Sequence, residues 1–106
     1  MIQNSRMKYT KEIDKGYPNI QLSFDVEFEE FYRVADILQK ELNVVFYSTV
    51  DDFDSLYWHF KFEGGDLTLH YNTFLGISIY PSLAKNFSQG DEKAIERLME
   101  KLSDIL

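Results

Sequence analysis

The chain predicts a single α+β domain, an antiparallel β-sheet meander with two helices packed on one face, in the order β-α-β-β-β-β-α. Three observations predict it. Residues 27–42 carry apolar side chains at three- and four-residue steps, residues 44–80 are rich in β-branched and aromatic residues, and residues 94–105 return to helical spacing. A length of 106 residues suits one domain with one core, residues 1–106, in which 1–18 serve as an edge strand or a flexible arm. No repeat, low-complexity tract or Pro/Gly/Ser-rich linker divides it.

Taken in order, MKYTKEI (7–13) alternates weakly and reads as an edge strand or a frayed arm, and GYPN (16–19) as a loop. NIQLSFD (19–25) alternates properly, with Ile20, Leu22 and Phe24 on one face. From Glu27 to Leu42 the period changes: Phe28, Phe31, Ala35, Leu38 and Leu42 form the buried stripe of a helix, with Asp25 as N-cap and Asn43 as its stop. VVFYSTV (44–50) suits a strand covered on part of both faces. LYWHFKFE and DLTLHYN then form a hairpin across Gly64-Gly65, and GISIY (76–80) a further strand. PSLAKNFSQG (81–90) is a loop. Ala94, Ile95, Leu98, Leu102 and Ile105 mark the closing helix, with Asp91 as N-cap. A loop made of Gly64-Gly65 sets Phe62 opposite Leu67, Phe60 opposite Leu69, Trp58 opposite Tyr71, and His59 opposite His70.

Composition excludes several functions. There is no cysteine, so disulfides, thiol nucleophiles and Cys-ligated zinc are absent together. No stretch approaches the roughly 20 apolar residues of a membrane span, and the N-terminus has no apolar signal core, so a cytoplasmic protein without membrane association is expected. A net charge of -7, with no basic stripe, argues against nucleic-acid binding. That charge is confined. Residues 25–54 hold nine acids against Arg33 and Lys40, whereas the rest of the chain balances nine acids with nine bases.

The helix over 27–42 and the strand over 44–50 match in length, at roughly 24 Å and 23 Å. Packed antiparallel, they bring Asp51, Asp52 and Asp54 to the level of Asp25, Glu27, Glu29 and Glu30, making an acidic pole. Macrodipole and turn preferences account for each acid locally. They do not account for the confinement of the whole excess, nor for Phe53 among carboxylates. Two roles are open to Phe53: an inward plug on the core, or an exposed anchor for a partner. Tyr57, His59 and His70, on the other sheet face, form a second candidate surface.

No catalytic or cofactor pattern accompanies these residues. Opposed His59 and His70 lack further ligands at metal spacing, and DDFDS lacks the loop spacing and central glycine of an EF-hand. Ser55 and Ser78 have no nucleophile-elbow context. Gly64-Gly65 precedes no helix, so it cradles no phosphate. The expectation is a non-enzymatic protein with no metal and no cofactor.

The pattern YWHFKFEGGDLTLHY followed by GISIYP, in a small acidic cysteine-free chain, resembles the small immunity proteins of bacterial contact-dependent growth inhibition and related polymorphic toxin systems, and also uncharacterised small bacterial proteins of similar layout, over residues 19–106 in general plan. Its motif is a structural hairpin, so no functional residue carries over. The resemblance implies a partner, a cognate basic toxin domain such as a nuclease. Independently, a concentrated acidic surface attracts a basic cleft, with Asp51, Asp52 and Asp54 as electrostatic contacts and Phe53 as anchor. The alternative is a bacterial interaction or regulatory module using the Tyr57/His59/His70 face, with homodimerisation as one form of it.

Overall fold

The computed structural model describes residues 8–12, 16–23 and 28–105. Its elements are β1 (Lys8–Glu12), β2 (Tyr17–Ser23), α1 (Phe28–Leu42), β3 (Phe46–Asp51), β4 (Ser55–Phe62), β5 (Gly65–Asn72), β6 (Gly76–Pro81), a 3-10 turn at Ala84–Asn86, and α2 (Gln89–Ile105). The fold is the α+β arrangement read from the sequence, an antiparallel meander carrying two helices, and β1 adds an edge strand before it. All six strands form one sheet in the order β1-β2-β6-β5-β4-β3, and every neighbouring pair is antiparallel. Phe24, Asp25 and Glu27 lie outside the described residues.

The helices cover one face because only that face is apolar. Ile20, Leu56, Phe60, Leu67, Leu69, Ile77 and Ile79 from alternating strand positions close against Phe31, Ala35 and Leu38 of α1 and against Ala94, Ile95, Leu98 and Leu102 of α2. α1 ends at Asn43, which takes a left-handed φ of 57°, while Val44 N–H donates to the Leu38 carbonyl at 3.1 Å. α2 begins two residues before the predicted cap, with Ser88 as its N-cap. Asp91 N–H donates to Ser88 Oγ at 3.0 Å, and Ser88 N–H donates to Asp91 Oδ2 at 2.9 Å, a reciprocal pair that satisfies two donors at the helix start.

Three other expectations are corrected. Tyr17–Asn19 belong to β2 rather than a loop, since β1 pairs along them as far as Glu12↔Tyr17. β3 is the sheet's edge, not a covered strand: Val45, Tyr47 and Val50 are exposed, and a bulge interrupts its pairing between Phe46 and Ser48.

The third concerns the β4–β5 register. The loop is Glu63-Gly64, with φ of 46° and 89°, and Gly65 pairs with Phe62. Phe60 therefore faces Leu67, Trp58 faces Leu69, Tyr57 faces His70, and His59 faces Thr68 instead of His70. The offset is two residues, so every side chain keeps its predicted face.

Candidate functional site

Strand register decides which loops meet. Across the sheet, Ser23 pairs with Ile77, Ile77 with Tyr71, Tyr71 with Leu56, and Leu56 with Asp51, a single row at one end. The end of β2, the β5–β6 turn and the β3–β4 loop all leave the sheet from that row. α1 starts there as well, because the Phe28 ring packs on Tyr71 at 4.8 Å. Phe31 and Tyr32 contact Trp58 at 5.1 and 5.7 Å, and Trp58 Nε1–H donates to Asp51 Oδ1 at 2.9 Å. Fold and side chains thus bring Glu29 and Glu30 of the first helical turn to the same end as Asp51, Asp52 and Asp54. The other two predicted members, Asp25 and Glu27, fall outside the described residues.

These carboxylates differ in their partners. Glu30 accepts from Arg33 Nε at 3.1 Å, and deeper along α1 Asp36 pairs with Lys40 at 3.2 Å. The loop acids are held by neutral donors instead: Asp52 Oδ1 accepts from Phe53 N–H at 2.8 Å and Asp54 Oδ1 from Ser55 Oγ at 3.2 Å. Among the described residues none of Asp51, Asp52 and Asp54 pairs with a lysine or arginine. Phe53 is 97% exposed, so it is no plug on the core. Its ring stands in water between carboxylates, where an unburied phenyl gains nothing for the fold.

One part of this end escaped the sequence reading. Phe74 and Leu75, in the β5–β6 turn, are 82% and 57% exposed. The turn is fastened to the acidic loop: Thr73 N–H donates to the Asp54 carbonyl at 3.3 Å, and Asn72 Nδ2 to Ser55 Oγ at 2.9 Å. Asn72 Oδ1 in turn accepts from Phe74 and Leu75 N–H at 2.8 and 3.2 Å. The signal was present in the sequence as NTFLG, in which two large apolar residues occupy a turn that ordinarily takes polar ones.

The second candidate surface is the face without helices. Tyr57 stacks on His70 at 4.4 Å, His70 meets Tyr80 edge-on at 5.6 Å, and Tyr80 meets Tyr17 at 5.7 Å, a row of rings across four strands. His59 lies in a separate polar cluster. Its Nδ1 is 2.7 Å from Thr68 Oγ1, which is 2.8 Å from Ser82 Oγ, while Tyr47 O–H donates to Asp66 Oδ1 at 2.6 Å. The acid binds hydroxyls rather than the imidazole, so the cluster lacks the base-orienting carboxylate of a nucleophilic triad. Burial lifts the Tyr80 hydroxyl well above its ordinary value, with Tyr17 and Tyr57 pushing the same way. The folded state then keeps a proton that the unfolded chain releases, so this contribution to stability is whole below about pH 10 and falls as pH rises further. Tyr80→Phe is expected to lose roughly 1 kcal/mol less stability than the native chain between about pH 10 and 11, measured by urea unfolding at each pH.

Together, the β3–β4 loop, the β5–β6 turn and the first turn of α1 gather acidic and exposed aromatic side chains at one end of an α+β sheet. Residues 9–102 match the family described as "Protein of unknown function (DUF3630)", and the chain belongs to that family. No curated protein and no solved structure matches it. Among the described residues, no helix is long and apolar enough to cross a membrane, and no three His, Asp or Glu side chains group as a metal site.

Proposed function

We propose that the protein is a non-enzymatic inhibitor, an immunity protein that binds and neutralises a cognate basic toxin domain, a nuclease by preference, in the bacterial cytoplasm. The observation that carries this reading is Phe53, almost wholly exposed between Asp52 and Asp54, on a loop whose acids have no cationic partner among the described residues. Unscreened carboxylates steer a cationic surface and raise the encounter rate, and a central aromatic ring supplies burial once contact is made.

The test is association with the toxin domain encoded beside the protein, comparing native chain with the Asp51→Asn, Asp52→Asn, Asp54→Asn triple variant. The association rate at low salt is expected to fall about tenfold, with a shallower dependence on ionic strength. Equal rates and equal salt dependence would remove the acidic tip from the function. The row of Tyr57, His70, Tyr80 and Tyr17 supports one other reading, a regulatory or self-associating module that uses the open sheet face. Binding that survives the triple change and is lost in Tyr57→Ala, or self-association lost in the same variant, would move the function there.

A further inference from the structure

We propose that Phe53 and the Phe74–Leu75 turn form one two-pronged apolar anchor, which docks into an apolar cleft rimmed by lysine and arginine side chains on a partner protein. This deepens the reading above and rests on it. Among the described residues, Phe53 and Phe74 are the two most exposed large apolar side chains, and they stand on neighbouring loops at the same end of the sheet.

Their display is not looseness. Asp52 N–H donates to the Ser55 carbonyl at 2.8 Å, and Thr73 N–H joins the two loops through the Asp54 carbonyl at 3.3 Å. From the other side, Gln21 Nε2 donates to the Leu75 and Ile77 carbonyls at 3.1 Å each. With the backbone already held, docking loses little conformational freedom beyond that of the rings themselves.

The chemistry of the occupant follows from charge. Between Val44 and Ala84 the only lysine or arginine is Lys61, against Asp51, Asp52, Asp54, Glu63 and Asp66. Lys61 stands opposite Asp66 in the strand register, close to the Glu63-Gly64 loop at the opposite end from the tip. A second copy of this chain would bring like charges together, and a membrane with anionic lipids would repel the tip. A cationic protein surface with an apolar hollow satisfies both the rings and the carboxylates.

A hexapeptide of alternating arginine and tryptophan serves as the probe, followed by amide chemical shifts and by titration at two salt concentrations. The shift changes are expected at residues 52–54 and 73–75. The Phe53→Ser, Phe74→Ser double variant, which alters only exposed rings and so keeps the native Tm, is expected to bind about thirtyfold more weakly with the salt dependence unchanged. The Asp51→Asn, Asp52→Asn, Asp54→Asn variant is expected to bind more weakly, with a shallower salt dependence. If the carboxylate variant weakens binding and the double phenylalanine variant matches the native chain, the two-pronged anchor is wrong while the acidic docking surface stands. If the carboxylate variant also matches the native chain, both fail.

Discussion

Gly65→Ala is expected to destabilise the protein by about 3 kcal/mol, a fall in Tm of roughly 10–20 °C. A Cβ at position 65 lies 2.5 Å from Ala94 Cβ, 3.2 Å from Asp91 Cα and 3.3 Å from the Gly90 carbonyl oxygen. Two of those atoms are helix backbone, so relief requires the first turn of α2 to move off the sheet. That movement would stretch the bond from Asp66 N–H to Asp91 Oδ1, now 3.0 Å. Adding Ala94→Gly removes the nearest obstruction. It costs about 1 kcal/mol in the native background, as any helical Ala→Gly change does, yet it should raise the Tm of the Gly65→Ala variant. Gly64→Ala meets open space and suffers only from its left-handed φ of 89°, a loss near 1 kcal/mol. Thermal unfolding of the four variants separates the two glycines. A Gly65→Ala protein as stable as the native chain would show that helix and strand do not approach this closely.

The same glycine explains why the hairpin register was not legible. Taken locally, Gly64-Gly65 is the better two-residue loop, since Glu63 pays for a left-handed φ of 46° that glycine takes freely. What selects Glu63-Gly64 is distant in the chain: only glycine at strand position 65 admits Ala94 of α2. The two helices were legible because their apolar spacing is a local property, and the faces of β4 and β5 survived because a two-residue offset preserves alternation. Sheet order is not local. Val44–Val50 reads as a covered strand on composition alone, and nothing in it announces that β3 has β4 on one side and open backbone on the other.

The acidic end was legible for the converse reason, since α1 and β3 must reverse direction whatever the order of the remaining strands, so the loop acids return to the start of the helix. Whether Phe53 faced in or out depended on whether a gap existed beneath it. Such a gap is a property of the packed end and not of the loop's own residues; Phe53 stands 97% exposed. Phe74 and Leu75 carry no charge, so the acidic pattern that marks the rest of this end does not extend to them.

Phe31→Ala is expected to cost about 4 kcal/mol, the range for removing a fully buried phenylalanine from a core. Phe31 is the ring that holds α1 to the sheet at the acidic end: it packs edge-on against Trp58 at 5.1 Å and Tyr32 at 5.5 Å, and reaches Tyr71 at 6.3 Å. Phe28 is 41% exposed and touches the same Tyr71, so Phe28→Ala should lose only about 1 kcal/mol, which separates burial from aromatic contact as the source of the effect. The only tryptophan of the chain, Trp58, sits within this cluster and reports the transition by its own fluorescence in urea. The functional consequence follows from the same contacts. Trp58 carries Asp51 on its indole nitrogen, so an α1 no longer seated on that ring frees the helix acids from the loop acids. Phe31→Ala should therefore weaken binding of a basic partner under conditions where the chain is still folded, whereas Phe28→Ala should leave it near the native value. A Phe31→Ala protein within 1 kcal/mol of the native chain would mean that α1 is anchored elsewhere, and with it the placement of Glu29 and Glu30 beside the loop would lose its support.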